Sequence, residues 1–210
     1  MRARWRPTPH QLVQVLIGLW LFGMGEALVV ASELGNSPWT VFAEGVSKHT
    51  PLSIGGATVV ISAFVLLCWI PLRELPGLGT LLNAVIIGVS IDATLSLLPH
   101  LDALAVRWVA LLGGIALVGF ASGLYLTAAL GPGPRDGLMT GLHARFGWPL
   151  AAVRTAIELT AVTSGWILGG TVGIGSVLFA LLIGHAVSFG VRRIGPYAAA
   201  PRRPARAEAR

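Results

Sequence analysis

The stretch "LGPGPRDGLMTGLHARFG", residues 130–147, decides the fold because it has a counterpart earlier in the chain. When it is shifted back by 96 residues, from 130 to 34, its first five letters fall on "LGNSP" at 34–38. Under the same shift "GIGSVLFALLIG" at 173–184 falls on "GLGTLLNAVIIG" at 77–88. The helical segments before the two breaks also share glycine and leucine positions. Three ordered matches at one offset indicate a duplicated unit.

The composition is that of a membrane protein. Hydrophobic residues make up 54% of the chain and charged residues 11%, with a mean hydropathy of +0.76, whereas soluble domains carry about 25% charged residues. A spanning helix needs about 20 apolar residues, and six windows qualify: 11–31, 54–71, 79–98, 106–129, 149–170 and 174–193. With the first span leading outward, the outer segments hold only Lys48 and Arg107 of the 15 basic residues. This bias predicts cytoplasmic termini.

These patterns predict an all-α polytopic membrane protein with six transmembrane helices, arranged as two inverted three-helix repeats. Because each copy holds three spans, an odd number, the second copy must run upside down relative to the first. The repeats are predicted at 11–98 and 106–195, after a basic cytoplasmic N-terminus at 1–10 and before a disordered basic cytoplasmic tail at 196–210. The expected location is the bacterial inner membrane, with both termini cytoplasmic.

A break rich in proline and glycine follows the first span of each copy; its structural residues are Gly35, Pro38, Gly131, Pro132, Gly133 and Pro134. Pro134 suits the first turn of a helix, and the free N–H groups of a helix start attract anions. Short amphipathic helices are predicted over 37–49 and 134–147, the second with an apolar face of Leu138, Met139, Leu142 and Phe146. Such helices either lie at the membrane interfaces or re-enter the membrane towards a central site. The sequence leaves both alternatives open.

Ionisable side chains within apolar spans are costly and usually face the interior of the bundle. Together with the charged pair after the second break, they form a candidate substrate or proton site of Glu26, Arg135, Asp136, Arg154, Glu158 and His185. Arg154 and Glu158 are four residues apart on one helical face, where they neutralise each other. In the alternative interpretation, Glu158 binds a substrate cation or carries a proton.

The other polar residues allow further expectations. Glu26 has no charged neighbour on its own helix, so its partner comes from another element or the side chain is neutral. Asp136 either caps its helix or binds a cation. Asp92 lies close enough to the end of its span to reach lipid headgroups, and His185 favours a hydrogen bond to a neighbouring helix over a role as a proton relay.

Three segments carry a family resemblance: "ALGPGPRDGLMTGL" at 129–142, "RTAIELTAVTSGWILGG" at 154–170 and "GIGSVLFALLIGHAVS" at 173–188. They resemble the bacterial YczE/YitT-like integral membrane proteins, over essentially the whole chain up to about Pro196, and "GPRDG" is the most specific part. The resemblance implies a multi-pass membrane fold. It implies little about activity, since the function of that family is poorly defined.

We expect a small-solute transporter or channel with its site between the two repeats; the alternative is a non-transporting scaffold or regulatory partner of another protein. The sequence has no HExxH pair, GxSxG elbow or phosphate-binding loop, so we expect no enzyme, no cofactor and no metal. The expected surroundings are the lipid bilayer and a small-molecule substrate, with a homodimer as the assembly and no nucleic acid. Convergence of Glu26, Arg135, Glu158 and His185 on one cavity would favour transport over the scaffold.

Overall fold

In the computed structural model, which describes residues 2–195, the apolar windows form helices. The helices are α1 Pro9–Ser32, α2 Pro38–Ser47, α3 Ile54–Leu67, α4 Trp69–Leu72, α5 Leu78–Leu97, α6 Leu104–Thr127, α7 Pro134–Phe146, α8 Leu150–Ile167 and α9 Ile174–Ile194. A short 3-10 helix at Arg2–Trp5 precedes them. The tail predicted at 196–210 lies outside the described residues.

Five helical segments within residues 2–195 are long and apolar enough to cross a membrane: Pro9–Ser32, Ile54–Leu72, Leu78–Leu97, Leu104–Thr127 and Ile174–Ile194. Each coincides closely with one of the predicted windows. The remaining window, 149–170, forms α8, which contains Arg154 and Glu158 and is not among the five. The chain is therefore an all-helical protein with several helices able to span a bilayer, and α8 as a sixth span stays a prediction.

The central pair of the bundle is α1 with α6, flanked by α5 against α1 and by α9 against α6. Glycines set the close approach of these helices. A Cβ atom at Gly25 would lie 2.8 Å from Cγ2 of Val118 on α6, and one at Gly119 would lie 2.3 Å from Cβ of Ala186 on α9. Small residues at these positions allow the helix backbones to approach closely.

Two reciprocal hydrogen bonds join the first half of the chain to the second. The backbone N–H of Gly175 donates to the carbonyl of Leu34 over 2.8 Å, and the N–H of Gly79 donates to the carbonyl of Leu130 over 3.0 Å. Gly79 corresponds to Gly175, and Leu34 to Leu130, under the 96-residue shift. Corresponding residues of the two copies therefore make corresponding contacts.

The breaks after α1 and α6 are glycine turns. Gly35 has φ 119° and Gly131 has φ 123°, a region that glycine occupies without steric cost. Pro38 and Pro134 then occupy the start of α2 and α7, as the sequence predicts. Each short helix therefore begins directly after the turn that ends the preceding long helix.

The tightest contact of α7 is made by a glycine and not by the predicted apolar face. A Cβ atom at Gly137 would lie 1.9 Å from Cζ2 of Trp69. Trp69 is 2% exposed, and its Nε1–H donates to the carbonyl of Pro134 over 3.0 Å. Phe146, on the apolar face predicted for this helix, is exposed and stacks on Trp148 with ring centroids 4.9 Å apart. The contact with Trp69 therefore holds α7 through its first turns.

The two halves differ in how their last two long helices pack. α3 lies along α5, where a Cβ atom at Gly88 would be 2.5 Å from the carbonyl oxygen of Gly55. The Asp92 carboxylate accepts hydrogen bonds from the Ser53 hydroxyl and the Gly55 N–H, so it binds the start of α3. In the other half α8 lies apart from α9. A Cβ atom at Gly184, the counterpart of Gly88, would meet no described atom within 4 Å.

Candidate functional site

A cavity of about 270 Å³ lies where α1, α5, α6, α8 and α9 surround the first residues of α2 and α7. The predicted site residues that line it are Glu26, Arg135, Asp136, Arg154 and Glu158. Aromatic rings contribute further walls, from Phe22, Trp39, Tyr125 and Phe179. Charged residues that are far apart in sequence therefore share one cavity.

Glu26 is the most deeply buried of these residues, with an exposed fraction of 2%. Its Oε2 accepts hydrogen bonds from the hydroxyls of Ser37, over 2.8 Å, and Thr40, over 2.7 Å. Its other oxygen, Oε1, has no hydrogen-bond partner within residues 2–195. The hydrogen-bond partners of Glu26 therefore come from the start of α2 and not from its own helix. One oxygen of its carboxyl group remains without a partner at the cavity.

Arg135 projects from the first turn of α7 and crosses to the other half of the chain. Its guanidinium carbon lies 4.8 Å from the centroid of the Trp39 ring on α2, a cation–π contact. Its donors make no hydrogen bond or ion pair with any residue of the described part of the chain. A guanidinium has five N–H donors, so Arg135 presents unused donors to the cavity.

Asp136 also lies in the first turn of α7, where the hydroxyl of Tyr125 donates to its Oδ2 over 3.2 Å. Thr40 is the counterpart of Asp136 under the 96-residue shift and bonds to Glu26. In both copies the first turn of the short helix is therefore tied by a polar side chain to the long helix that precedes it.

Arg154 and Glu158 form the ion pair that their spacing predicts, with Nε of Arg154 donating to Oε1 of Glu158 over 3.0 Å. They lie at the edge of the cavity, where it meets a more open depression of about 350 Å³ between α8 and α9. His185 lines that depression and not the cavity. Its Nδ1 lies 3.3 Å from the carbonyl of Leu181 in its own helix, so the expected bond to a neighbouring helix was wrong.

Residues 10–192 match a family described as a family of unknown function, DUF6198. The chain belongs to the DUF6198 family. It is 44% identical to an uncharacterized protein of Haemophilus influenzae, over 90% of this chain and 89% of that one. It is 35% identical to the uncharacterized membrane protein YczE of Bacillus subtilis, over 82% and 81% of the two chains. Identity to the uncharacterized protein YyaS of Bacillus subtilis is 29%, over 80% and 86%.

The expected resemblance to YczE is therefore confirmed for this DUF6198 member. One relative is described as a membrane protein, which agrees with the five helices able to span a bilayer. No solved structure matches the chain. All three relatives are described as uncharacterized, so the cavity is the feature that bears on function.

Sequence reasoning missed a second polar cluster of this DUF6198 protein, centred on Glu44 of α2. Its Oε1 is 2.8 Å from the Lys48 ammonium and accepts a hydrogen bond from the Thr171 hydroxyl over 2.7 Å. Its Oε2 accepts from the Thr171 N–H over 2.7 Å and from the Asn36 amide over 2.8 Å. The four-residue spacing of Glu44 and Lys48 was a readable signal, but no pattern links either residue to Thr171.

The Glu44 cluster fixes the end of α2 to the loop between α8 and α9. Burial alone would raise the pKa of Glu44, but the hydrogen bonds from Lys48 and Thr171 and the positive charge of Lys48 more than offset it. The pKa of Glu44 is therefore below its ordinary value of 4.5. Within residues 2–195, no group of three histidine, cysteine, aspartate or glutamate side chains is placed to hold a metal ion.

Proposed function

We propose that this protein is a small-solute transporter of the bacterial inner membrane, with its substrate site in the cavity. The observation that carries the proposal is the meeting of charged groups from both halves of the chain around one cavity. Glu26 comes from the first half, and Arg135 and Glu158 come from the second. A scaffold would be expected to use such residues at separate helix contacts, so their convergence favours transport. His185, in the adjoining depression, is left out of the site.

The reciprocal contacts support two inverted repeats. Corresponding bonds from Gly79 to Leu130 and from Gly175 to Leu34 are what a pseudo-two-fold axis produces. In this arrangement α8 is the sixth span, since its charged pair lies at the cavity edge, where intramembrane charges are tolerated. The short helices α2 and α7 then re-enter the membrane, with their first residues at the central site.

The unequal packing of the halves suggests how the cavity alternates between the two sides. In the present conformation α3 is closed on α5, while α8 stands apart from α9 and leaves the Arg154 and Glu158 edge open. The charge bias assigns that open edge to the cytoplasmic side. In the second conformation the packing is exchanged, so that α8 closes on α9 and α3 leaves α5. Inverted repeats provide alternating access by this kind of exchange.

Thiol accessibility tests the proposal without knowledge of the substrate. Ser122 lines the cavity and is 4% exposed, so we would introduce Ser122→Cys after removing the single native cysteine with Cys68→Ala. Ser62 on α3 is also buried but does not line the cavity, so Ser62→Cys is the matched control. Both proteins would be treated with a membrane-impermeant thiol reagent in right-side-out and in inverted vesicles.

We expect the cysteine at 122 to react rapidly from the cytoplasmic side and slowly from the outside, and the control to be inert from both. Equal rapid reaction from the two sides would identify a channel and not an alternating transporter. A cysteine at 122 that is as inert as the control would show that no aqueous path reaches the cavity, and the scaffold would then be the better proposal.

A further inference from the structure

One region of the cavity suits an anionic group, and we call it the anionic pole. Arg135 offers guanidinium donors that have no acceptor within the described residues, and its position is fixed by the Trp39 ring. The starts of α2 and α7 meet at the same place, as Ser37, Pro38, Pro134 and Arg135 all line the cavity. Each helix start carries unsatisfied N–H groups and the positive end of the helix dipole. A guanidinium fork beside two helix starts is a site for a carboxylate.

The same cavity has a pole for a cationic group. Glu26 is 2% exposed, and its Oε1 has no hydrogen-bond partner in residues 2–195. Ser37 and Thr40 donate to Oε2, so Oε1 is available to accept a hydrogen bond from an ammonium group. Glu26 and Arg135 do not form an ion pair with each other, although both line the cavity. The space between them is therefore bounded by opposite charges that no protein group joins.

The size and the walls of the cavity limit what can fill this gap. A cavity of about 270 Å³ admits a small organic molecule, since one of about 150 Å³ already binds benzene. The rings of Phe22, Tyr125 and Phe179 line the cavity together with Trp39. Aromatic faces attract ammonium groups and exclude strongly hydrated inorganic ions. A dipolar organic molecule suits all three features, whereas a simple anion or a simple cation leaves one pole unused.

On this basis, which rests on the proposed function, we infer that the substrate is a small zwitterion with a carboxylate and an ammonium group separated by a short carbon chain. Arg135 and the two helix starts hold the carboxylate, and Glu26 holds the ammonium. The Arg154–Glu158 pair lies at the open cytoplasmic edge and contacts neither pole of the ligand.

Three probes that each contain three carbon atoms test the inference on the purified full-length protein in detergent. β-Alanine carries both charged groups, propionate carries only the carboxylate, and propylamine carries only the ammonium. Binding would be measured by calorimetry. Propionate and propylamine each lack one of the two charged hydrogen-bonding groups of β-alanine. We therefore expect each of them to bind about ten- to a hundredfold more weakly than β-alanine.

Variants assign the poles. Arg135→Gln is expected to reduce the affinity for β-alanine to that of propylamine, and Glu26→Gln is expected to reduce it to that of propionate. Arg145→Gln, at the exposed far end of the same helix, is the matched control and should bind as the wild type does. The melting temperature without ligand shows whether each variant is folded, and Arg135→Lys, which keeps the charge, should recover part of the affinity.

Binding of propionate or propylamine as tightly as β-alanine would overturn the zwitterion, and so would binding of β-alanine that is unchanged in Arg135→Gln. Failure of all three probes to bind would also overturn it. None of these results would contradict the proposed function, because reaction of the cysteine at 122 depends on access to the cavity and not on the chemistry of the substrate. A cysteine at 122 that does not react would contradict both the proposed function and this inference.

Discussion

Gly88 and Gly184 occupy corresponding positions in the two copies but different surroundings, and this contrast yields a quantitative prediction. A Cβ atom at Gly88 would lie 2.5 Å from the carbonyl oxygen of Gly55 and 2.6 Å from Cγ2 of Val59. A Cβ atom at Gly184 would meet no described atom within 4 Å. The same chemical change, glycine to alanine, is therefore expected to act in opposite directions at the two sites.

The magnitudes follow from two terms. Alanine in a helix interior is favoured over glycine by about 0.5–1 kcal/mol, and this gain is common to both variants. Overpacking against backbone costs about 1–3 kcal/mol and applies to Gly88→Ala alone. The difference in the free energy of unfolding between the two variants is therefore the overpacking cost alone, about 1–3 kcal/mol. Gly184→Ala should be slightly more stable than the wild type.

The free energy of unfolding would be measured by titration with dodecyl sulfate in mixed micelles, followed by tryptophan fluorescence. Equal shifts for the two variants, or a loss of stability in Gly184→Ala, would refute the separation of α8 from α9. A second readout concerns the proposed exchange of packing. In the proposed second conformation α8 packs on α9, so a Cβ atom at position 184 would be as crowded as one at position 88 is now. Gly184→Ala should therefore disfavour that conformation, and the cysteine at 122 should react more slowly from outside.

Three further predictions concern polar and tight contacts. Gly137→Ala should lower the melting temperature and destabilise the protein by about 1–3 kcal/mol, because its Cβ atom would overlap the Trp69 ring. The pKa of Glu44 lies below its ordinary value of 4.5, so its ionised form stabilises the fold above pH 4.5. This contribution to the free energy of unfolding is lost as the pH falls through the lowered pKa. In Glu44→Gln the acid-induced loss of stability should be absent. Asp92→Asn should destabilise the bundle by about 1–3 kcal/mol, since the start of α3 loses a charged acceptor.

Each of these has a control in the chain. The control for Gly137→Ala is Gly113→Ala on α6, because a Cβ atom at Gly113 meets no described atom within 4 Å. Gly147 also has open space, but its φ of 71° makes a substitution there strained. Asp102→Asn, at a carboxylate with 91% of its side chain exposed, serves for both acidic residues. An acid-induced loss of stability that persists in Glu44→Gln would assign it to other groups. Unchanged melting of Asp92→Asn or of Gly137→Ala would contradict the contacts described.

The sequence predicted those features of the fold that depend on periodic or repeated patterns. Long apolar windows predicted the five helices that are able to span a bilayer, and the 96-residue shift aligns Leu34 with Leu130 and Gly79 with Gly175. Matching residues in the two halves indicate matching contacts. Glu26, Arg154 and Glu158 stood out because charge within an apolar span is costly, and Arg135 and Asp136 because they follow the break rich in proline and glycine.

The rest depended on contacts between distant parts of the chain. Nothing in the sequence states that Trp69 lies against Gly137, or that Thr171 bonds to Glu44, because these pairs have no shared period or spacing. The separation of α8 from α9 was also hidden, since Gly88 and Gly184 are the same letter in matching segments. Duplicated sequences predict what the two halves have in common, and a difference in conformation between the halves leaves no mark on the residues themselves.

The reciprocal bonds between the halves have a consequence for how the chain can be divided. The break after the first long helix of each half is hydrogen-bonded to the last long helix of the other half. Leu34 accepts from Gly175, and Leu130 accepts from Gly79. Neither half contains a complete set of partners, so neither forms its native contacts alone. A chain cut in the exposed connection near Asp102 and produced as two separate polypeptides should reassemble in the membrane, because each fragment supplies the acceptor that the other lacks.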